Sequence, residues 1–128
     1  MSDPTPMPKR QTIVAVVDDD PSMLRATREL LDAHGFATEA FTSAEEFLGR
    51  EAATQIDCLL LDIHLGGMSG IELRRRLKMS SSALPVIFIT ALDDEDTRGE
   101  ARKAGCVAYL RKPYSARQLI DAIEQAAP

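Results

Sequence analysis

Thiols and imidazoles are too scarce in this chain to build a cross-linked or zinc-bound scaffold. It carries 2 cysteines and 2 histidines in 128 residues. Cys58 and Cys106 lie in or beside apolar runs, with no CxxC and no Cys/His spacing. Both therefore read as small core residues of a reducing compartment. His34 and His64 are too few and too scattered for a histidine-ligated metal. Positive charge is also short: 15 Lys and Arg stand against 20 Asp and Glu, a formal net charge of −5. That balance argues against nucleic-acid binding and against an anionic membrane surface, since both reward a basic patch. No apolar stretch approaches the roughly 20 residues of a membrane span. Residues 1–11 hold Pro4, Pro6 and Pro8 and no apolar core segment, so they read as a disordered leader rather than a secretory signal. A cytoplasmic protein is expected, with residues 12–128 forming one domain.

What the chain does have is a set of short apolar runs, each ending in a residue suited to phosphate or metal chemistry. Ile13–Val17 runs into Asp18, Asp19 and Asp20, and Cys58–Leu61 runs into Asp62. Val86–Ile89 runs into Thr90, and Val107–Leu110 is followed after Arg111 by Lys112. Buried parallel strands read as continuous runs of this kind, and α/β sheets place ligand sites just beyond the carboxyl ends of such strands. A more polar run, Ala37–Phe41, reads as a further strand nearer an edge.

Helical patterns fill the intervals. Pro21 and Ser22 open a helix with Met23, Thr27, Leu30 and Leu31 on one face, stopped by Gly35. Ser43 with Glu46 forms a capping-box pair before a helix expected to bury Phe47 and Leu48. Gly66, Gly67 and Gly70 make a turn before a helix carrying Ile71, Leu73 and Leu77. Residues 93–104 have helical composition but only Ala101 and Ala104 as anchors, which predicts a mobile element. The last helix presents Ala116, Leu119, Ile120 and Ile123 at i, i+3, i+4 and i+7. Five βα units with short loops describe an α/β fold, a doubly wound parallel sheet with helices on both faces.

Each rim residue has an ordinary reading. Asp20, directly before Pro21, is a helix cap. Capping leaves Asp18 and Asp19 unexplained, because adjacent carboxylates repel unless a cation lies between them. Magnesium takes oxygen ligands, usually one or two carboxylates with waters and a phosphate. Asp62 could be a plain loop aspartate, yet the glycines after it permit close approach of a ligand. A carboxylate there can also attack a phosphoryl group, a transfer that needs little beyond in-line placement and charge neutralisation. Thr90 could be an ordinary strand threonine, or a donor to phosphoryl oxygen beside the small Ala91. Lys112 could be a solvated lysine, or a point charge facing Asp62 or a phosphate. The Lys112–Pro113 bond is a candidate cis peptide.

Taken together, Asp18-Asp19, Asp62, Thr90-Ala91 and Lys112-Pro113, in this order after successive strands, resemble the receiver domain of two-component response regulators. The phrase around Asp62 is similar to FixJ-like receivers. The resemblance spans Ile13 to the last helix and implies a flavodoxin-like (βα)5 sheet of order 2-1-3-4-5. It implies that Asp62 is the phosphoacceptor and that Thr90 and Lys112 bind phosphoryl oxygens. It implies Mg²⁺ held by Asp19 and Asp62, with Asp18 acting through water and the His64 backbone carbonyl completing the set. Tyr109 takes the switch aromatic position. A sensor histidine kinase or histidine phosphotransfer protein would be the donor, and the chain would be a signalling module rather than an enzyme. The fourth helix, fifth strand and fifth helix would form the contact face, including for a phosphorylation-dependent homodimer, with no direct nucleic-acid or membrane contact. Gly66 departs from the family's frequent proline, and Tyr114 from its commoner phenylalanine. Two other classes remain as alternatives. A haloacid-dehalogenase-type phosphatase also uses an aspartyl nucleophile, but would want a second aspartate where His64 stands. A flavodoxin-like electron carrier would want a hydroxyl-rich loop after the first strand.

Overall fold

The computed structural model describes residues 11–50, 55–80 and 82–127. The expected leader lies outside the described residues except for Gln11. Five strands alternate with five helices: β1 (Ile13–Val17), α1 (Pro21–Ala33), β2 (Ala37–Phe41), α2 (Ala44–Leu48), β3 (Cys58–Asp62), α3 (Gly70–Met79), β4 (Val86–Thr90), α4 (Glu95–Ala104), β5 (Ala108–Arg111) and α5 (Ala116–Ala126). All strand pairs are parallel, in the order β2-β1-β3-β4-β5. This is the α/β doubly wound, flavodoxin-like arrangement the sequence predicts.

The apolar runs become strands because both faces of the sheet are covered. Alternate residues feed two separate cores. Val17, Leu59, Leu61, Val86 and Phe88 pack on one face with Phe47, Ile71, Leu73, Ala101 and Ala104 from α2, α3 and α4. Val14, Val16, Cys58, Leu60, Ile87 and Ile89 pack on the other with Leu24, Leu31, Leu119 and Ile123 from α1 and α5. Leu59, Leu60 and Leu61 are all 0% exposed, and burying each leucine contributes about 2 kcal/mol.

Helix starts follow their side-chain caps. The Asp20 carboxylate accepts from the N–H groups of Ser22 and Met23, with Pro21 in the first turn of α1. The Ser43 box is only half formed. Ser43 Oγ accepts from Glu46 N–H, whereas the Glu46 carboxylate takes the Thr42 hydroxyl at 2.8 Å. The reciprocal box occurs instead at Ser115 and Gln118, opening α5.

Four expectations change at the level of faces. In the short α2, Ala44 and Phe47 take the covered side, and Leu48, next to the end at Gly49, is 41% exposed. The fifth strand starts one residue later than its apolar run, leaving Val107 45% exposed. Ala116, the first residue of α5, is exposed, and the buried stripe is Leu119, Ala122 and Ile123. On α1, Leu24 is buried while Met23 is only half-buried. The thinly anchored helix α4 gains one inward residue beyond the two alanines, Thr97.

Candidate functional site: an acidic rim bridged by a lysine

The sheet order reverses direction between β1 and β3, the place where open α/β sheets leave a crevice for ligands. Each chemically suited residue stands on or just past the last rung of its strand. Asp18 N–H donates to Phe41 O, Ile63 N–H to Ile89 O and Lys112 N–H to Thr90 O. The backbone ladder therefore fixes where these side chains begin. The N-terminus of α3 closes in beneath them. Gly70 N–H donates to Ile63 O, and a Cβ at Gly70 would collide with the Asp62 main-chain oxygen. Only glycine permits that approach.

Oxygens of Asp18, Asp19 and Asp62 lie within 4.8 Å of one another. Asp18 and Asp62 are 5% and 6% exposed, while Asp19 is open to solvent. Lys112 Nζ bridges the two buried carboxylates, 2.8 Å from Asp62 Oδ2 and 3.1 Å from Asp18 Oδ2. Their remaining oxygens are claimed by the main chain. Asp20 N–H donates to Asp18 Oδ1 and His64 N–H to Asp62 Oδ1. Asp19 Oδ2 accepts from Gly66 N–H at 3.2 Å. The His64 ring is exposed, so it is the main chain of His64 that borders the site.

Electrostatics at this rim are tense. Burial, the largest influence, raises the Asp18 carboxyl above its ordinary range, and the negative charge of Asp62 adds to it. The Asp20 N–H and Lys112 pull the other way without cancelling it. For Lys112, burial alone would lower the ammonium. The hydrogen bonds and charges of Asp62 and Asp18 outweigh burial, and the lysine titrates above its ordinary value. The group thus sets three carboxylates against one ammonium. An all-oxygen donor set with surplus negative charge fits a hard divalent cation such as Mg²⁺.

Thr90 is completely buried at the end of β4. Its hydroxyl is engaged within its own loop, 3.0 Å from both the carbonyl oxygen and the N–H of Leu92. The Lys112–Pro113 peptide is cis, as the sequence suggested. Tyr109 lies on β5, in register with Phe88 and packed on the α2–α4 side core. Its hydroxyl donates to Asp93 Oδ1 at 3.2 Å. Arg98 completes that cluster, its Nη2 donating to both Asp93 carboxylate oxygens at 2.7 and 2.6 Å and its guanidinium lying 5.9 Å from the Tyr109 ring centre. The Arg98 hydrogen bond is the main reason the Asp93 carboxyl titrates below its ordinary range. Sequence reasoning singled out Tyr109 but missed Asp93 and Arg98. An acid just before a helix and an arginine one turn inside it is the signal that was available. It also missed Glu45, whose Oε2 accepts from Met68 N–H at 3.3 Å. No local spacing announces that contact.

A parallel five-stranded sheet in this order, with an aspartate at the end of its central strand, an acidic pair beside it and a bridging lysine, is a doubly wound α/β domain with a charged rim site. The family described as "Response regulator receiver domain" matches residues 14–124, and the chain belongs to that family. Response regulator protein TodT of Pseudomonas putida is 34% identical over 120 residues, covering 94% of this chain and 53% of TodT. Nodulation protein W of Bradyrhizobium diazoefficiens is 37% identical over 116 residues, covering 91% of this chain and 51% of that protein. The chain thus spans about half the length of these curated relatives. Among solved structures, the crystal structure of FixJ-N superposes with a TM-score of 0.84 at 34% identity, covering 92% of this chain and 94% of that one.

Proposed function

We propose that this chain is a Mg²⁺-dependent phosphoacceptor, phosphorylated on Asp62 by a sensor histidine kinase or a histidine phosphotransfer protein. The observation that carries the reading is the Lys112 ammonium set between Asp62 and Asp18, with Asp19 alongside. That arrangement supplies a nucleophilic carboxylate, a cation for phosphoryl oxygen and surplus negative charge for a metal.

Asp19, Asp62 and the His64 carbonyl would hold the metal, with Asp18 acting through water. When bound, Mg²⁺ supplies positive charge against the equatorial phosphoryl oxygens. The chain's own residues do the rest. An Asp62 carboxylate oxygen forms the new O–P bond as the donor's P–N bond breaks, and the electron pair leaves with the donor imidazole. Lys112 is already 2.8 Å from Asp62, placed to hold a phosphoryl oxygen once the group arrives. Thr90 reaches another only by giving up the Leu92 carbonyl, so phosphorylation pulls the β4–α4 loop inward. Tyr109 then follows, leaving the Asp93–Arg98 pair that holds its hydroxyl. The α4–β5–α5 face changes shape, and a partner or a second phosphorylated copy reads it.

On this reading the chain is a signalling receiver that catalyses only its own phosphoryl gain and loss. It is cytoplasmic and touches neither nucleic acid nor membrane; among the described residues no helix is long and apolar enough to cross one. The phosphatase and electron-carrier alternatives are not favoured. His64 stands where the phosphatase needs a second acid, and the loop after β1 offers aspartates rather than hydroxyls. Acetyl phosphate with MgCl₂ should add one phosphoryl group to the intact protein, read by mass spectrometry. Asp62→Asn should lose that label while keeping the wild-type circular dichroism spectrum. Undiminished labelling of the variant contradicts the assignment.

A further inference from the structure

The loop between β3 and α3 is fastened at two points by carboxylates from elsewhere in the chain. Gly66 N–H donates to Asp19 Oδ2 at 3.2 Å, and Met68 N–H donates to Glu45 Oε2 at 3.3 Å. Asp19 comes from the turn after β1 and Glu45 from the first turn of α2. Between the two fastenings stands Gly67, with φ 75°. A Cβ there would lie 2.6 Å from Glu45 Oε2, so the glycine is what lets that carboxylate lie against the loop.

This matters because Asp19 is the exposed member of the acidic trio. Asp18 and Asp62 are held by burial and by Lys112, whereas neither holds Asp19. Among the described residues it accepts a hydrogen bond from Gly66 N–H, and with that bond in place its oxygen lies within 4.8 Å of the other two carboxylates. An exposed aspartate left free spends part of its time turned away, and a metal must then collect it at an entropic cost. Glu45 does not reach the trio. Its hold on Met68 fixes the loop that presents Gly66.

We propose that Glu45 is a positioning residue for the divalent-metal site, acting through the 66–68 loop to preset Asp19 for the ion. The inference rests on the metal reading above and adds a residue outside the acidic trio. Its role is geometric: Glu45 serves as a hydrogen-bond acceptor, and its negative charge is incidental.

The test measures Mg²⁺ affinity by following backbone amide shifts during a MgCl₂ titration, for wild type, Glu45→Ala and Glu45→Gln. Losing one exposed hydrogen bond, about 1 kcal/mol, should weaken Mg²⁺ binding about fivefold in Glu45→Ala. The Gly66 and Met68 amides should exchange with solvent faster in that variant. Glu45→Gln keeps an acceptor oxygen and should recover most of the affinity and the protection. Equal weakening by Ala and Gln would mean that charge, not position, is at work, and would overturn the proposal. Wild-type affinity in Glu45→Ala would overturn it too, while leaving the metal site standing. If wild type showed no Mg²⁺-induced shifts at Asp18, Asp19 and Asp62, both the metal reading and this one would fall.

Discussion

Replacing Lys112 with methionine removes one charge and little else, because methionine keeps the aliphatic stem that lies along the rim. In the native chain that charge sits 2.8 Å from Asp62 and 3.1 Å from Asp18, whose side chains are 8% and 7% exposed. Removing one partner of a fully buried ion pair costs about 3–5 kcal/mol, because the remaining charge is stranded. Lys112 is itself 19% exposed, so water can enter the space it leaves, and a loss of about 2–3 kcal/mol is the expected size. For a domain of this length that corresponds to a melting temperature lower by roughly 10 °C. Thermal melts followed by circular dichroism in EDTA-containing buffer read the effect.

Two conditions should then shrink the deficit. Mg²⁺ replaces the missing positive charge, so the Mg²⁺-induced rise in melting temperature should be larger in Lys112→Met than in wild type. Acid should help as well. Asp18 titrates above its ordinary value of 3.8 in the folded chain, principally through burial. The folded state thus holds that proton to higher pH than the unfolded state does. The stability this confers is fully present below the unfolded value and is lost as pH rises through the raised one. Lys112 pulls that value down in the native chain, so in Lys112→Met it rises further, and lowering the pH from neutral toward the ordinary carboxylate range should bring the variant closer to wild type. A Lys112→Met protein that melts within about 2 °C of wild type without metal, at an expected ~4 °C per kcal/mol, would refute the electrostatic argument.

Further outcomes follow from the same geometry. Asp19→Asn removes an exposed carboxylate from the trio, so millimolar Mg²⁺ should raise its melting temperature much less than that of wild type; equal shifts would count against Asp19 as a ligand. Cys58 is 0% exposed, and burial, helped by the nearby Asp57, pushes its thiol up to about 12. Iodoacetamide at mildly alkaline pH should therefore leave Cys58 untouched in the folded protein and modify only the half-exposed Cys106, as peptide mapping would reveal. Above the unfolded thiol value of 9.0 the unfolded chain ionises Cys58 first, so stability should fall as pH rises from there toward about 12. Cys58→Ala should flatten that fall, and an unchanged slope would place its cause elsewhere.

The sheet was legible because its strands are covered on both faces, so runs such as Cys58–Leu61 carry no polar interruption to confuse them with helix. The rim residues were legible for a related reason. Asp18, Asp62 and Thr90 interrupt apolar runs at their ends, where a strand passes into a loop and side-chain chemistry becomes possible. Asp20 could be separated from its neighbours because Pro21 marks the start of a helix. Three of the four misplaced residues sit at element ends: Leu48, Val107 and Ala116 are apolar, but a helix or strand margin buries only part of what it carries. The acid box at Ser43 was half right because Thr42 competes for the same Glu46 carboxylate. Long-range side-chain contacts stayed hidden. Glu45 on Met68 and Arg74 on the carbonyls of Gly105 and Leu84 join residues whose pairing no periodicity records. The orientation of the Thr90 hydroxyl toward Leu92 was equally invisible, since a sequence names a donor without naming its acceptor.

A crystal structure of the protein grown with MgCl₂ and beryllofluoride, a stable stand-in for a phosphoryl group on a carboxylate, puts the whole arrangement at stake. The expected density is a fluoride-bearing adduct on an Asp62 oxygen, touched by Lys112 Nζ and by a Thr90 hydroxyl turned away from Leu92. A metal should lie against Asp19, Asp62 and the His64 carbonyl. Density showing Asp62 bare, with Lys112 still bridging it to Asp18 and no ion beside Asp19, would contradict the account.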